Sequence, residues 1–153
     1  MKLETNAQTA FTLVEVMIVA SVIGLLAAIA VPNFIMARES AQNGRFIGDL
    51  RMARGAFQMF NMDTGRYPVD QLPAIMPGGM DQYLARMQWA GATSIGGQWD
   101  WDYQQFGFVA GVSVYQPSVP ATQLAKIDRQ IDDGNFNTGS FRSRAAGYIS
   151  VLE

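Results

Sequence analysis

The chain has 153 residues, of which 49% are hydrophobic and only 16% charged, whereas soluble domains carry about 25% charge. Eleven basic against thirteen acidic residues leave a net charge of −2, which excludes a strongly basic nucleic-acid binder. With neither cysteine nor histidine, the chain has no disulfide, thiolate nucleophile, Ser-His-Asp triad or His-ligated metal, so composition argues against an enzyme.

Residues 1–10, MKLETNAQTA, are polar and predict no packed element. From Phe11 to Ala37 the only charged residue is Glu15, and Val16 to Val31 reads VMIVASVIGLLAAIAV. As a helix this stretch spans roughly 40 Å, enough for a bilayer core of about 30 Å. A core helix apolar on all sides at this length does not suit so small a domain. A secretory signal would show a shorter apolar run and an Ala-x-Ala cut site, where this chain has Pro32-Asn33-Phe34.

Between Arg38 and Asn61 the pattern changes. Phe46, Leu50, Ala53, Phe57 and Phe60 recur at helical spacing, which predicts an amphipathic continuation of the same helix over 38–62 against a globular domain. Pro32, Gly44 and Gly48 are its expected points of bending. Gly65 and Pro68 mark its end. The remaining 63–153 predict a β-rich domain. A short helix is expected near Met80 to Met87, with strands at Trp99 to Tyr103 and Phe106 to Tyr115. A second helix is expected from Ala121 to Asp132 and a last strand at Tyr148 to Leu152. Trp99-Asp100-Trp101-Asp102 reads as a strand with a buried aromatic face and a wet acidic face. The fold class is α+β: a long N-terminal helix, membrane-spanning in its first half, packed through its second half on a small antiparallel sheet.

Glu15 stands out. A carboxylate at mid-bilayer costs about 2.5 kcal/mol or more, and less near an interface. One reading places it at the head-group level, favouring the helix N-terminus through the dipole. Another requires a cut before Phe11. The new α-amine would lie a turn from Glu15, and in staggered copies one Glu15 would meet another copy's amine, offsetting the cost of desolvating both.

The run Ala10-Phe11-Thr12-Leu13-Val14-Glu15-Val16-Met17-Ile18-Val19, continuing through Gly24-Leu25-Leu26 to Pro32-Asn33-Phe34, resembles the N-terminal segment of type IV pilins and type II secretion pseudopilins. The resemblance is close from Ala10 to Asn43. It implies a prepilin peptidase that removes the leader 1–10 by cutting between Ala10 and Phe11, then methylates the Phe11 amine. It implies that Glu15 guides subunit docking in the inner membrane, and that the helix forms the core of a filament. Pro32 is implied as the place where that helix bends or melts. Ala10 stands where the family usually has Gly; it too is small, and cutting is expected to survive. The leader's Lys2 is offset by Glu4, and Arg38, Arg45, Arg51 and Arg54 lie on the far side, so the charge signal for orientation is weak. The resemblance instead places the leader in the cytoplasm and the C-terminal domain in the periplasm. Asp63-Thr64-Gly65-Arg66-Tyr67-Pro68 is similar to the turn after the long helix in the major pseudopilin.

The function this implies is a structural subunit of a secretion pseudopilus. Its partners would be further copies of itself, the peptidase, the inner-membrane assembly platform and minor pseudopilins, with no nucleic acid. The alternatives are a major or minor pilin of a type IV pilus and a membrane-anchored periplasmic binding protein. Asp128, Asp132, Asp133, Asn135 and Asn137 cluster around Gly134. Hard oxygen ligands on a short Gly-containing loop suit calcium, which the family resemblance also suggests; the same residues are ordinary turn formers.

Overall fold

The structure is a computed structural model, described here for residues 11–153; the expected leader, and Ala10 with it, lies outside the described residues. The element order is α1 (Leu13–Thr64), β1 (Gln98–Tyr103), β2 (Ala110–Tyr115), α2 (Ala121–Ile131), β3 (Phe141–Arg144) and β4 (Gly147–Val151). The chain divides into two compact units, up to Arg38 and from Glu39 onward.

The first unit holds the apolar half of α1. Its large side chains, among them Leu13, Ile18, Ile23, Leu26, Ile29 and Phe34, are exposed. The segment is long and apolar enough to cross a membrane, and its most apolar window is 0% buried. Within Val16 to Val31 the one polar side chain, Ser21, donates its hydroxyl to the Met17 carbonyl at 2.7 Å, so the backbone absorbs it. Pro32 lies inside α1. It has no N–H to donate to the carbonyl of Ala28, so one rung of the helical ladder is missing there.

In the second unit the amphipathic half of α1 buries Phe46, Ile47, Leu50, Ala53, Ala56, Phe57 and Phe60. The helix ends at Gly65, whose φ of 71° is the left-handed conformation that suits glycine at a C-cap. Its N–H donates to the Asn61 carbonyl at 2.8 Å.

The sheet is antiparallel throughout, in the order β1-β2-β4-β3. Alternation along β1 turns Trp99 and Trp101 toward α1. Trp99 stacks on Phe46 at 5.4 Å between centroids and Trp101 on Phe57 at 3.8 Å. The indole N–H groups are satisfied by backbone carbonyls: Trp101 donates to Pro68 and Trp89 to Ile75, each at 2.9 Å. Buried indoles with paired N–H groups add apolar area without an orphan donor. On α2, Leu124 and Ile127 join this core, while Gln123 donates to Asn43 Oδ1 at 2.8 Å and Lys126 to Glu39 at 2.8 Å.

Three local expectations change. Residues 80–87 form successive turns, not a helix: Tyr83 N–H donates to the Met80 carbonyl and Met87 N–H to that of Leu84, three-residue closures that never propagate. The second strand begins at Ala110 rather than Phe106, because Phe106 and Gly107 both take positive φ in the turn before it. Strand β3 was not expected; only four residues long, with Arg-Ser-Arg after Phe141, it shows almost no alternation to read.

Candidate functional site

At the start of α1, Thr12 and Glu15 form a reciprocal cap. Thr12 N–H donates to Glu15 Oε2 at 2.8 Å, the Thr12 hydroxyl donates to the same oxygen at 2.7 Å, and Glu15 N–H donates back to Thr12 Oγ1 at 3.3 Å. This is a capping box, which satisfies helix-end donors that would otherwise be orphaned. Thr12 was missed in the sequence reading, although the Thr-x-x-Glu spacing was there to find. Phe11, the residue expected to follow the cut, is 84% exposed. A held carboxylate, an exposed aromatic four residues before it and an exposed apolar helix after it lie together in one segment.

The acidic loop expected to hold calcium brings three carboxylates together. Asp128, Asp132 and Asp133 each offer an oxygen within 4.8 Å of the others. Asp128 is fully buried on α2, and neither of its carboxylate oxygens has a hydrogen-bond partner. Burial, with the neighbouring Asp132 and Asp133, pushes its pKa up to about 7. For Asp132, partial burial favours the neutral form but is outweighed. Its carboxylate faces Asp128 and accepts N–H groups from Asp133, Ser140 and Phe141, holding the pKa well below the usual range. The chain passes so close to Asp132 at Gly139 (φ 69°) that a side chain there would collide with the carboxylate. Asp133 Oδ1 accepts Asn135 N–H at 2.9 Å and Asn135 Oδ1 accepts Asn137 N–H at 3.2 Å. These bonds fold the loop around the acidic group. Three converging carboxylates, one of them buried, are oxygen donors of the kind a hard divalent cation takes.

The acidic face of β1 is not wet. Asp100 and Asp102 are each 4% exposed. Arg144, at the end of β3, reaches across from the opposite edge of the sheet: its Nη2 lies 2.5 Å from Asp100 Oδ2 and its Nε 3.1 Å from Asp102 Oδ2. Ser113 donates to Asp102 Oδ2. The guanidinium is covered by Phe106 at 5.0 Å and Tyr115 at 5.7 Å from their centroids, good cation–π geometry. Burial, then the charge of Asp102, pushes Asp100 up to about 6 despite Arg144. Asp102 is also raised, by burial, against the pull of Ser113 and Arg144. The sequence reading missed this cluster because its cation is over forty residues away and on another strand.

These features define a class: a protein with a pilin-like N-terminal helix carrying a small α+β head. A family profile described as a prokaryotic N-terminal methylation motif matches residues 5–31. The chain is similar, over part of its length, to proteins named type II secretion system core protein G. It is 38% identical over 64 residues to type II secretion system core protein G of Klebsiella pneumoniae, covering 42% of this chain and 46% of that one. It is 28% identical over 134 residues to the protein of that name from Klebsiella michiganensis, covering 76% and 89%. With that of Vibrio cholerae it shares 38% over 61 residues, 40% and 42% of the two chains. In the first and last of these the match spans about half the length of the relative or less. No solved structure matches the chain significantly.

The buried cluster sets a pH dependence. Asp100 has a folded-state pKa near 6, above its ordinary 3.8. The folded state therefore binds its proton more tightly than the unfolded state, and stability falls as pH rises from about 4 through 6. Asp100→Asn removes this loss and leaves Arg144 paired one-to-one with Asp102. In thermal melts of the full chain in detergent, the variant is expected to melt above the parent at pH 7.5, with the gap closing at pH 5. Arg144→Met, which strands two buried carboxylates, is expected to cost about 3–5 kcal/mol.

Proposed function

We propose that this protein is a structural subunit of a type II secretion pseudopilus, polymerising through α1 into a periplasmic filament that helps drive protein export. The observation that carries the reading is the uncovered apolar half of α1 behind a single capped carboxylate. Such a surface rests in lipid before assembly and among identical helices after it. The likeness to type II secretion core protein G supports the secretion machine over a motility or adhesion pilus. On this reading a prepilin peptidase cuts between Ala10 and Phe11 and methylates Phe11. The inner-membrane platform and minor pseudopilins are the other partners, and the protein performs no catalysis.

Head-to-tail contacts between identical subunits give an open filament rather than a closed ring. The Glu15 capping box holds the carboxylate in a single chain. In the filament the same carboxylate meets the Phe11 amine of a neighbour, and Pro32 is where the ladder yields to accommodate packing. Glu15→Ala is expected to leave membrane insertion intact and to reduce filament incorporation at least tenfold, read by fractionating membranes from sheared filaments. Normal incorporation of the variant would remove Glu15 from the assembly step.

Asp128, Asp132 and Asp133, with Asn135 and Asn137 on the same loop, are proposed to hold calcium. The ion would neutralise the orphan Asp128 and fix the loop between α2 and β3. A ligand at a hundred times its Kd stabilises by about 2.7 kcal/mol. Excess EGTA is therefore expected to lower the melting temperature by several degrees, and added Ca²⁺ to restore it. An unchanged melt through both additions would contradict the calcium site.

A further inference from the structure

Arg54 lies on the amphipathic half of α1 and is half-buried. Its Nη1 donates to Ser150 Oγ at 3.1 Å, and Ser150 is fully buried in β4. Ser150 pairs with Phe141 of β3, which sets their Cα atoms about 5 Å apart. The Phe141 N–H in turn donates to Asp132 Oδ2 at 3.0 Å, and the Ser140 hydroxyl donates to the same oxygen at 2.9 Å. Val151, next to Ser150, donates its N–H to the Ser140 carbonyl at 2.7 Å. The guanidinium of Arg54 and the carboxylate of Asp132 are thus anchored to one pair of facing residues. Burial pulls the Arg54 pKa below its ordinary value, and the charge of Asp132 opposes that pull. Arg54 forms no direct ion pair among the described residues.

A second cation reaches the acidic loop from the solvent side. Arg129 stands in the last turn of α2 and is exposed. A Cβ at Gly134 would fall 3.2 Å from its Nε, so this side chain lies against the turn of the loop. Salt screens exposed charges strongly and partly buried ones much less, and exposed pairs are worth little. Of the two arginines, the half-buried one on α1 therefore acts on the three carboxylates with less loss to solvent.

We propose that Arg54 is the counter-cation of the acidic loop: it offsets Asp132 when the loop is empty, and by repulsion it sets how tightly the loop takes a divalent cation. The inference rests on the calcium reading above. Arg54 does not ligate the ion; it acts through its charge, which a buried position and the Ser150 bond hold in place. Because Arg54 belongs to α1, the helix that carries the assembly surface also carries part of the loop's charge balance.

Equilibrium dialysis of the full chain in detergent against Ca²⁺, after stripping with EGTA and removal of the chelator, tests this. Arg54→Gln removes the charge and keeps an amide that can donate to Ser150; Arg54→Met removes both; Arg54→Lys keeps the charge. The Kd for Ca²⁺ is expected to fall about tenfold in Arg54→Gln and Arg54→Met and to stay at the parent value in Arg54→Lys. Arg129→Gln, which removes the exposed charge, is expected to change it about threefold or less. A Kd that is unchanged or raised in both neutral variants overturns the proposal. So does an Arg54→Lys that binds like the neutral variants, which is the behaviour of a packing residue. An equal fall in Arg129→Gln overturns it as well, since net charge alone then accounts for the effect. A parent chain that binds no Ca²⁺ overturns the calcium reading and the role of Arg54 with it.

Discussion

The constraint on which everything else depends is the surface of α1 between Leu13 and Ala37. Burying a single Val, Leu, Ile, Phe or Met stabilises by about 1.5–3 kcal/mol. Leu13, Val16, Ile18, Val22, Ile23, Leu25, Leu26, Ile29 and Phe34 are all exposed. Left in water, the segment forgoes that gain at every one of these positions, so covering it with an apolar surface outside its own chain is strongly favoured. A helix satisfies its backbone internally, so lipid is one acceptable cover; other copies of the same helix are another. An assembling subunit exchanges the first for the second.

The head domain solves the ordinary problem of burying a core and does so with aromatics. Phe46 and Phe57, about three turns apart on α1, each stack on a tryptophan of β1, so one helix face and one strand are registered by two ring pairs. The polar side of the same strand is organised just as strictly. Arg144 ties β3 to β1 across the width of the sheet, joining the two edge strands through one guanidinium. Two acidic clusters result, each with a buried aspartate short of partners: Asp100 beside an arginine and Asp128 beside two more carboxylates. A guanidinium sits on the first, whereas the second is made of carboxylates alone.

Much of this was legible in the sequence, for definable reasons. The apolar run, the stripe from Phe46 to Phe60 and the Gly65 stop are local patterns with fixed periods, and they place the helix. The aromatic face of β1 follows from strict alternation at Trp99 and Trp101. The wet acidic face did not follow: alternation says which side Asp100 and Asp102 occupy, not what covers that side. Their burial depends on Arg144, Phe106 and Tyr115, brought there by sheet order, which local pattern does not encode. Strand β3 was too short and too charged to signal itself, and the 80–87 turns mimic a helix in composition but follow Pro77-Gly78-Gly79. The carboxylates of the acidic loop were visible as a cluster. That Asp128 is the buried one, with both oxygens unpaired, needed the packing of α2.

The central claim is that this chain is processed before Phe11 and polymerised as a pilin-like subunit, with α1 as its assembly element. The most direct test is the intact mass of the protein purified from its native membrane fraction. The account predicts a species that begins at Phe11 and carries one added methyl group. A mass retaining residues 1–10 in cells with an active prepilin peptidase would contradict it, and would leave α1 as a permanent membrane anchor.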